Sequence, residues 1–266
     1  MSDSHPAPLV LTLAELRAEI SAGELTSFRR GEHEFMHSPD EPGWGHSDTE
    51  MFPVVGPTAE IGYRVQVPRG NALQDQHGLL REMPYSLVSV TPATAILEKT
   101  YKAGTPVANS KYPKRSSARW LVWPYSFRFE KRFTLRPDAL EVAFEVTGDV
   151  DMPFMIGYHP AFNLQSADAR VTGCGRVASL AEVLAVGDRA LEMGGCEALV
   201  LEDTRRLELR STGFGHFMLW TPDPGMICIE PVTYYPGSRP QAEMHEGFQY
   251  LERAPRHFSL TLTPLS

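Results

Sequence analysis

"FRFEKRFTLRPDALEVAFEV", residues 127–146, decides the fold class. Phe127, Phe129, Phe133 and Leu135 fall on alternate positions among polar neighbours. After the turn residues "RPDA" the alternation resumes with Leu140, Val142, Phe144 and Val146 on one face, and Glu141, Ala143 and Glu145 on the other. A side-chain period of two is that of an extended chain with one face buried, and two such runs joined by turn chemistry form an antiparallel hairpin.

Working outward, shorter runs of the same kind recur: "TAILEKT" at 94–100, "RLELRS" at 206–211, "HFMLW" at 216–220, "MICIE" at 226–230 and "FSLTLT" at 258–263. Turns separate them, and the 22 prolines and 21 glycines are scattered instead of marking one linker. The expectation is a single all-β domain over residues 1–266. "TLAELRAEI" near the N-terminus fits two patterns. Thr12 and Glu15 have capping-box spacing with Leu13, Leu16 and Ile20 at helical intervals, whereas Leu16, Ala18 and Ile20 also alternate as in a strand.

The totals narrow the function classes. Hydrophobic residues at 42% and charged residues at 22% suit a chain with a packed core. A net charge of −8 argues against general nucleic-acid binding, which needs a basic surface. No stretch is long and apolar enough to span a bilayer, and "MSDSHPAPLVLTLAEL" lacks the basic and apolar regions of a secretory leader, so a cytoplasmic protein with no membrane partner is expected. Cys174, Cys196 and Cys228, odd in number and widely spaced, read as free thiols, with neither a disulfide framework nor a zinc site.

Two strand ends carry titratable groups. In "GYHPAF", residues 157–162, His159 leaves the face used by Phe154, Ile156 and Tyr158, and Gly157 beside it offers open space for a ligand. In "MICIEP", residues 226–231, Ile227 and Ile229 face the core while Cys228 and Glu230 face away, and Pro231 is expected to stop ladder pairing. Each residue alone reads as an ordinary strand-end polar group. In one sheet they would aim an imidazole and a carboxylate into a shared concave site.

"GWGHSDTEMFPVVG", "QHGLLR", "WPYSFRFEKRFTL", "LEVAFEVTG", "MPFMIGYHPAFNL" and "CIEP" follow one another in the order and spacing of the aldose 1-epimerase (galactose mutarotase-like) family, and the chain resembles its shorter bacterial members over most of its length. The resemblance implies a large antiparallel β-sandwich, a supersandwich, with strands at the N-terminus and a sugar held in an open groove on a concave sheet face. It implies cofactor-independent interconversion of the α and β anomers of an aldose, with no metal. His159 would be the general acid on the ring oxygen and Glu230 the general base on the anomeric hydroxyl. His77 of "QHG" would contact the sugar, and Arg81 would line the same groove. Where relatives carry arginine after "FP.VG" this chain has Pro57, so Arg64 is a candidate to supply the missing contact; where they carry tryptophan after "IEP" it has Val232. The family's substrate-binding aspartate matches no residue between 164 and 226.

Free in water, an imidazole with a pKa of about 6.5 is roughly a quarter protonated near neutrality, and a glutamate near 4.3 is ionised. A neighbouring carboxylate would raise the protonated share of His159. On these grounds the base is ready and the acid partly so.

Two further motifs bear on function. "HEFMH", His33 to His37, has zinc-protease spacing, but on a strand its histidines stand roughly 13 Å apart at about 3.3 Å per residue, too far to share a metal. "SKYPKRSSARW" gathers Lys111, Lys114, Arg115 and Arg119, a solvated loop or a seat for a sugar phosphate. The function alternatives are therefore a mutarotase for a free aldose, a mutarotase for a hexose 6-phosphate, and a carbohydrate-binding protein that keeps the groove without turnover. Glycoside hydrolysis needs a second carboxylate facing Glu230, and none is identifiable.

Overall fold

The predicted hairpin forms as two nine-residue strands, Phe127–Leu135 and Leu140–Gly148, with Phe133 opposite Val142 and Leu135 opposite Leu140. The structure is a computed structural model that describes residues 7–265. Around this hairpin grows a nine-stranded antiparallel sheet. From one edge it runs Arg176–Ser179, Arg170–Gly173, Ala198–Glu202, Arg206–Thr212, Arg256–Leu265, Leu140–Gly148, Phe127–Leu135, Thr94–Tyr101 and Ser86–Val90. A five-stranded sheet, in the order Leu191–Gly194, His216–Trp220, Met226–Val232, Gly157–Asn163 and Asp48–Met51, packs against it. Phe144 of the large sheet meets Tyr158 of the small one at 5.1 Å between ring centroids. The all-β sandwich expected from the sequence is present.

The N-terminal ambiguity resolves to strands. Leu9–Leu13 and Leu16–Ser21 pair as a hairpin turning at Ala14, whose φ is 54°, within a four-stranded sheet. Leu11, Leu16, Ala18 and Ile20 are all buried, and burial alternates along Leu16–Ser21, so the period of two prevails over the helical spacing of Leu13, Leu16 and Ile20. The first six residues of the leader reading lie outside the described residues. A capping box does form elsewhere, between Ser179 and Glu182 at the start of the short helix Leu180–Ala185. Among the described residues no helix is long and apolar enough to cross a membrane.

The reading of three free thiols is corrected. Cys174 and Cys196 form a disulfide with Cα atoms 5.1 Å apart, and Cys228 is free and buried. Cys174 sits at the tip of the hairpin between Arg170–Gly173 and Arg176–Ser179, and Cys196 follows the strand Leu191–Gly194; spacing along the chain does not reveal that these turns meet. Disulfides persist in oxidising surroundings, so the cysteine pattern gives a reducing compartment no support.

The sandwich interior also departs from a simple apolar pattern. Lys131 lies in the core-facing row of Phe127, Phe129 and Phe133, and Lys99 in that of Ala95, Leu97 and Tyr101. They meet Asp48 and Glu50 on the edge strand of the small sheet: Lys131 Nζ is 2.8 Å from Asp48 and 2.6 Å from Glu50, and Lys99 Nζ is 3.6 Å from Glu50. Asp48 also accepts from the Tyr158 hydroxyl at 2.6 Å and the Leu25 N–H at 3.0 Å.

Candidate active site

His159 and Glu230 come together because their strands are neighbours in the five-stranded sheet. The pairs Gly157–Val232 and Ala161–Cys228 hold one register, which sets His159 opposite Glu230. Their side chains leave the face away from the large sheet, and Nε2 lies 3.4 Å from Oε1. Both are covered, His159 to 6% exposure and Glu230 to 1%, where an open groove was expected.

Two local readings are corrected. Pro231 does not end the ladder: it stands opposite Phe217 and the strand continues to Val232, because proline removes one donor and leaves the extended backbone intact. The space beside Gly157 is not open either. A Cβ there would lie 2.5 Å from Met51 Cε and 2.9 Å from Val232 Cγ1, so glycine admits packing by neighbouring strands. Val232 is thus fully buried filler on the sheet.

The third side comes from "QHGLLR". Gly78 has φ 78°, and a Cβ on it would fall within contact distance of the Phe52 carbonyl backbone, so the chain turns there as only glycine allows. Backbone hydrogen bonds from Phe52 N–H to His77 O and from Leu80 N–H to Phe52 O dock this turn on the end of the edge strand Asp48–Met51. His77 is thereby brought to 6.1 Å from His159, ring to ring. Its Nδ1 lies 3.2 Å from the Gly56 N–H and its Nε2 3.2 Å from the Gln76 side-chain amide nitrogen. Arg81 donates from Nη2 to Thr49 Oγ1 at 2.9 Å, and Thr49 is the register partner of His159.

Among the described residues, His159 Nδ1, Glu230 Oε2 and Arg81 Nε are buried without a hydrogen-bond partner. Such orphans are costly to bury. Aromatic rings flank them. The half-buried Trp44 lies 4.2 Å from the His159 ring at an interplanar angle of 31°, and Trp220 meets it edge-on at 5.9 Å. The Trp44 loop is docked by its N–H on Met226 Sδ at 3.3 Å and by its carbonyl on His37 Nε2 at 2.9 Å.

The expected resting protonation is reversed. Burial pushes Glu230 up to about 8 against the pull of Arg81. Burial, then Arg81, holds His159 well below 6.5, and burial does the same for His77. The aqueous reading assumed that a nearby carboxylate would favour the imidazolium; desolvation outweighs it, and near neutrality the pair holds its shared proton on the carboxyl side.

A cavity of about 150 Å³ opens against Arg81, lined among others by Glu24, His46, Thr49, Glu50 and Glu82. Of the basic loop, Lys114, Arg115 and Arg119 are exposed, while Lys111 turns inward to 3.6 Å from Asp75 and 3.4 Å from Gln76 Oε1. Arg64 is exposed at the start of the strand Arg64–Val67 and hydrogen-bonds with none of the site residues among those described. Pro57 is likewise exposed. In "HEFMH" only His33 and Glu34 are strand; His33 packs edge-on against Phe35 while His37 holds the Trp44 loop. Trp44, Trp220 and Thr49 escaped the sequence reading, although a tryptophan between glycines in "GWG" was a visible signal.

Solved structures share this architecture. A galactose mutarotase related enzyme from Lactobacillus acidophilus aligns with a TM-score of 0.78 at 18% identity, covering 97% of each chain. A galactose mutarotase-like protein from Lactobacillus casei gives 0.75 at 17%, over 97% of this chain and 100% of that one. One from Clostridium acetobutylicum gives 0.70 at 13%, over 97% and 95%. At such identities the likeness establishes the fold, which is that of the galactose mutarotase-like proteins. The chain belongs to the aldose 1-epimerase family, whose sequence model matches residues 23–195. That stretch carries His77, Arg81 and His159, and Glu230 lies beyond it. No curated protein matches the chain in sequence.

Proposed function

We propose that this protein interconverts the α and β anomers of an aldose, with His159 and Glu230 moving the two protons that ring opening requires. One observation carries the reading: strands more than seventy positions apart in sequence bring an imidazole and a carboxyl to 3.4 Å, with unpartnered buried polar atoms on His159, Glu230 and Arg81. The family membership supports it. His159 delivers a proton to the ring oxygen while Glu230 removes one from the C1 hydroxyl; the bond from C1 to the ring oxygen breaks and a C1 carbonyl forms. Rotation about C1–C2 and closure on the other face return both protons to where they came from, so no cofactor is consumed. The shared proton must first pass from Glu230 to His159. Sugar hydroxyls donating to the orphaned Oε2 favour that transfer, because hydrogen bonds to a carboxylate stabilise its charged form. Arg81 is a donor to the sugar's oxygens, and His77 contacts the sugar beside it.

Polarimetry of freshly dissolved α-glucose and α-galactose tests this. We expect faster anomerisation with the protein than without, and a loss of about 10²- to 10⁴-fold in Glu230→Gln and in His159→Ala. Sugar binding with no rate enhancement would leave only a carbohydrate-binding protein.

A second reading rests on Lys111. It alone of its loop's cations turns inward, in a site that already holds Arg81, and two cations suit a phosphate. Faster anomerisation of glucose 6-phosphate than of glucose, lost in Lys111→Ala, supports it; equal rates dismiss it.

A further inference from the structure

We propose that Lys99, buried in the sandwich interior, is a positioning residue that sets where Arg81 stands in the site. The inference rests on the mutarotase reading for its consequence in catalysis, and on geometry for its premise. Asp48–Met51 is the edge strand of the five-stranded sheet, and its residues alternate: Asp48 and Glu50 point into the sandwich, and Thr49 points to the face that carries His159. The turn Leu80–Glu82 wraps this edge, so consecutive residues fall on opposite sides of it. Leu80 is fully buried, and its carbonyl accepts from Lys99 Nζ at 2.9 Å. Arg81, next in the chain, reaches round to Thr49 Oγ1 at 2.9 Å. One bond grips the turn from inside and the other from outside.

Lys99 is itself held. Its Nζ lies 3.6 Å from Glu50 and 4.0 Å from the centroid of the Tyr85 ring, and Lys131 on the neighbouring strand shares Glu50 at 2.6 Å. If Lys99 is removed, Glu50 keeps Lys131, but the carbonyl before Arg81 loses its donor. The groups that face Glu230 are His159, Arg81 and the Cys228 thiol; those that face His159 are Glu230, Arg81, His46 and His77. Arg81 is the cation common to both lists. A guanidinium that drifts outward stops favouring the charged carboxylate, and the Glu230 titration moves up.

The test is a double-mutant cycle of Lys99→Met and Arg81→Gln, read in two ways. The first is the titration of the Glu230 carboxyl by carbon NMR, identified by its loss in Glu230→Gln, which needs no substrate and so stands even if no sugar is anomerised. The second is kcat/KM for anomerisation. In Lys99→Met the midpoint is expected above the wild-type value of about 8, with kcat/KM down about tenfold, the scale of a small misplacement in a site. In the Arg81→Gln background Lys99→Met should then change neither quantity. Lys99→Gln keeps a donor for the Leu80 carbonyl and should fall between wild type and Lys99→Met; it serves if the methionine variant does not fold. An unmoved midpoint with kcat/KM within twofold of wild type would overturn the proposal, as would effects that simply add to those of Arg81→Gln. Absence of any turnover in the wild type, with the titration behaving as stated, would instead remove the mutarotase reading and leave the placement of Arg81 by Lys99 intact.

Discussion

Two clusters of titratable groups lie back to back across the edge of one sheet, and their glutamates, Glu50 and Glu230, respond to burial in opposite directions. Inside the sandwich, Lys131, Lys99, Asp48 and Glu50 are buried among phenylalanines. On the other face, His159 and Glu230 are buried to a similar degree. Burial pushes Glu50 up, but Lys131 and then Lys99 outweigh it and hold Glu50 down at about 2. Burial likewise pushes Lys131 down, and Asp48 and Glu50 outweigh it and keep the ammonium charged. Glu230 feels the same desolvation without a fixed cation in bonding contact, and rises to about 8. Asp48, which shares Lys131 with Glu50, is pushed up by burial all the same, so it is the second ammonium, from Lys99, that sets Glu50 apart, and Glu230 with no bonded cation is left able to gain or lose a proton when a ligand arrives.

The contrast predicts opposite signs for the same chemical substitution. Glu50→Gln leaves two buried ammonium groups short of a partner and should cost about 3–5 kcal/mol in urea unfolding at pH 7. Glu230→Gln should instead stabilise, by on the order of 2–4 kcal/mol at pH 8, since it removes a carboxylate that the folded site disfavours. If both variants destabilise equally, the distinction between the clusters fails.

The pH dependence follows in the same way. The folded pKa of Glu230 is raised from 4.5 to about 8, so the native state retains a proton that the unfolded chain has released, and this group's contribution to stability declines as pH rises through that window. Glu50 is depressed from 4.5 to about 2; its contribution is present above 4.5 and is lost as pH falls through the window below. Urea midpoints from pH 3 to 9 should therefore fall off toward acid in the wild type and in Glu230→Gln alike, while the decline toward alkali is shallower in Glu230→Gln.

The smallest effect on stability is expected at the turn that connects the two regions. Gly78→Ala places a side chain at φ 78° against the Phe52 carbonyl backbone and should cost about 1–3 kcal/mol. Anomerisation should suffer more than this loss implies, because His77 and Arg81 ride on that turn. Unchanged turnover in a folded Gly78→Ala protein would show that the docking of the turn is not what places them.

Much of the fold was legible because alternation is a local property. Phe127 to Val146, "TAILEKT" and "FSLTLT" are strands as read, since period-two burial needs only near neighbours. His159 and Glu230 were legible as outward-facing strand residues, and the resemblance paired them. The reading failed wherever the deciding neighbour was remote. Met51 and Val232 fill the space at Gly157, Cys196 finds Cys174, and Lys131 interrupts a phenylalanine row to meet Asp48 across the sandwich.

The sequence by itself determined the main alternating strands, because alternation is written in spacing along the backbone, and its ordered motifs carried the resemblance to a family. Tertiary structure alone decided which acids and bases are charged. A pKa depends on distances to groups far away in the chain and on how much water remains, and those quantities come into being only when the two sheets close.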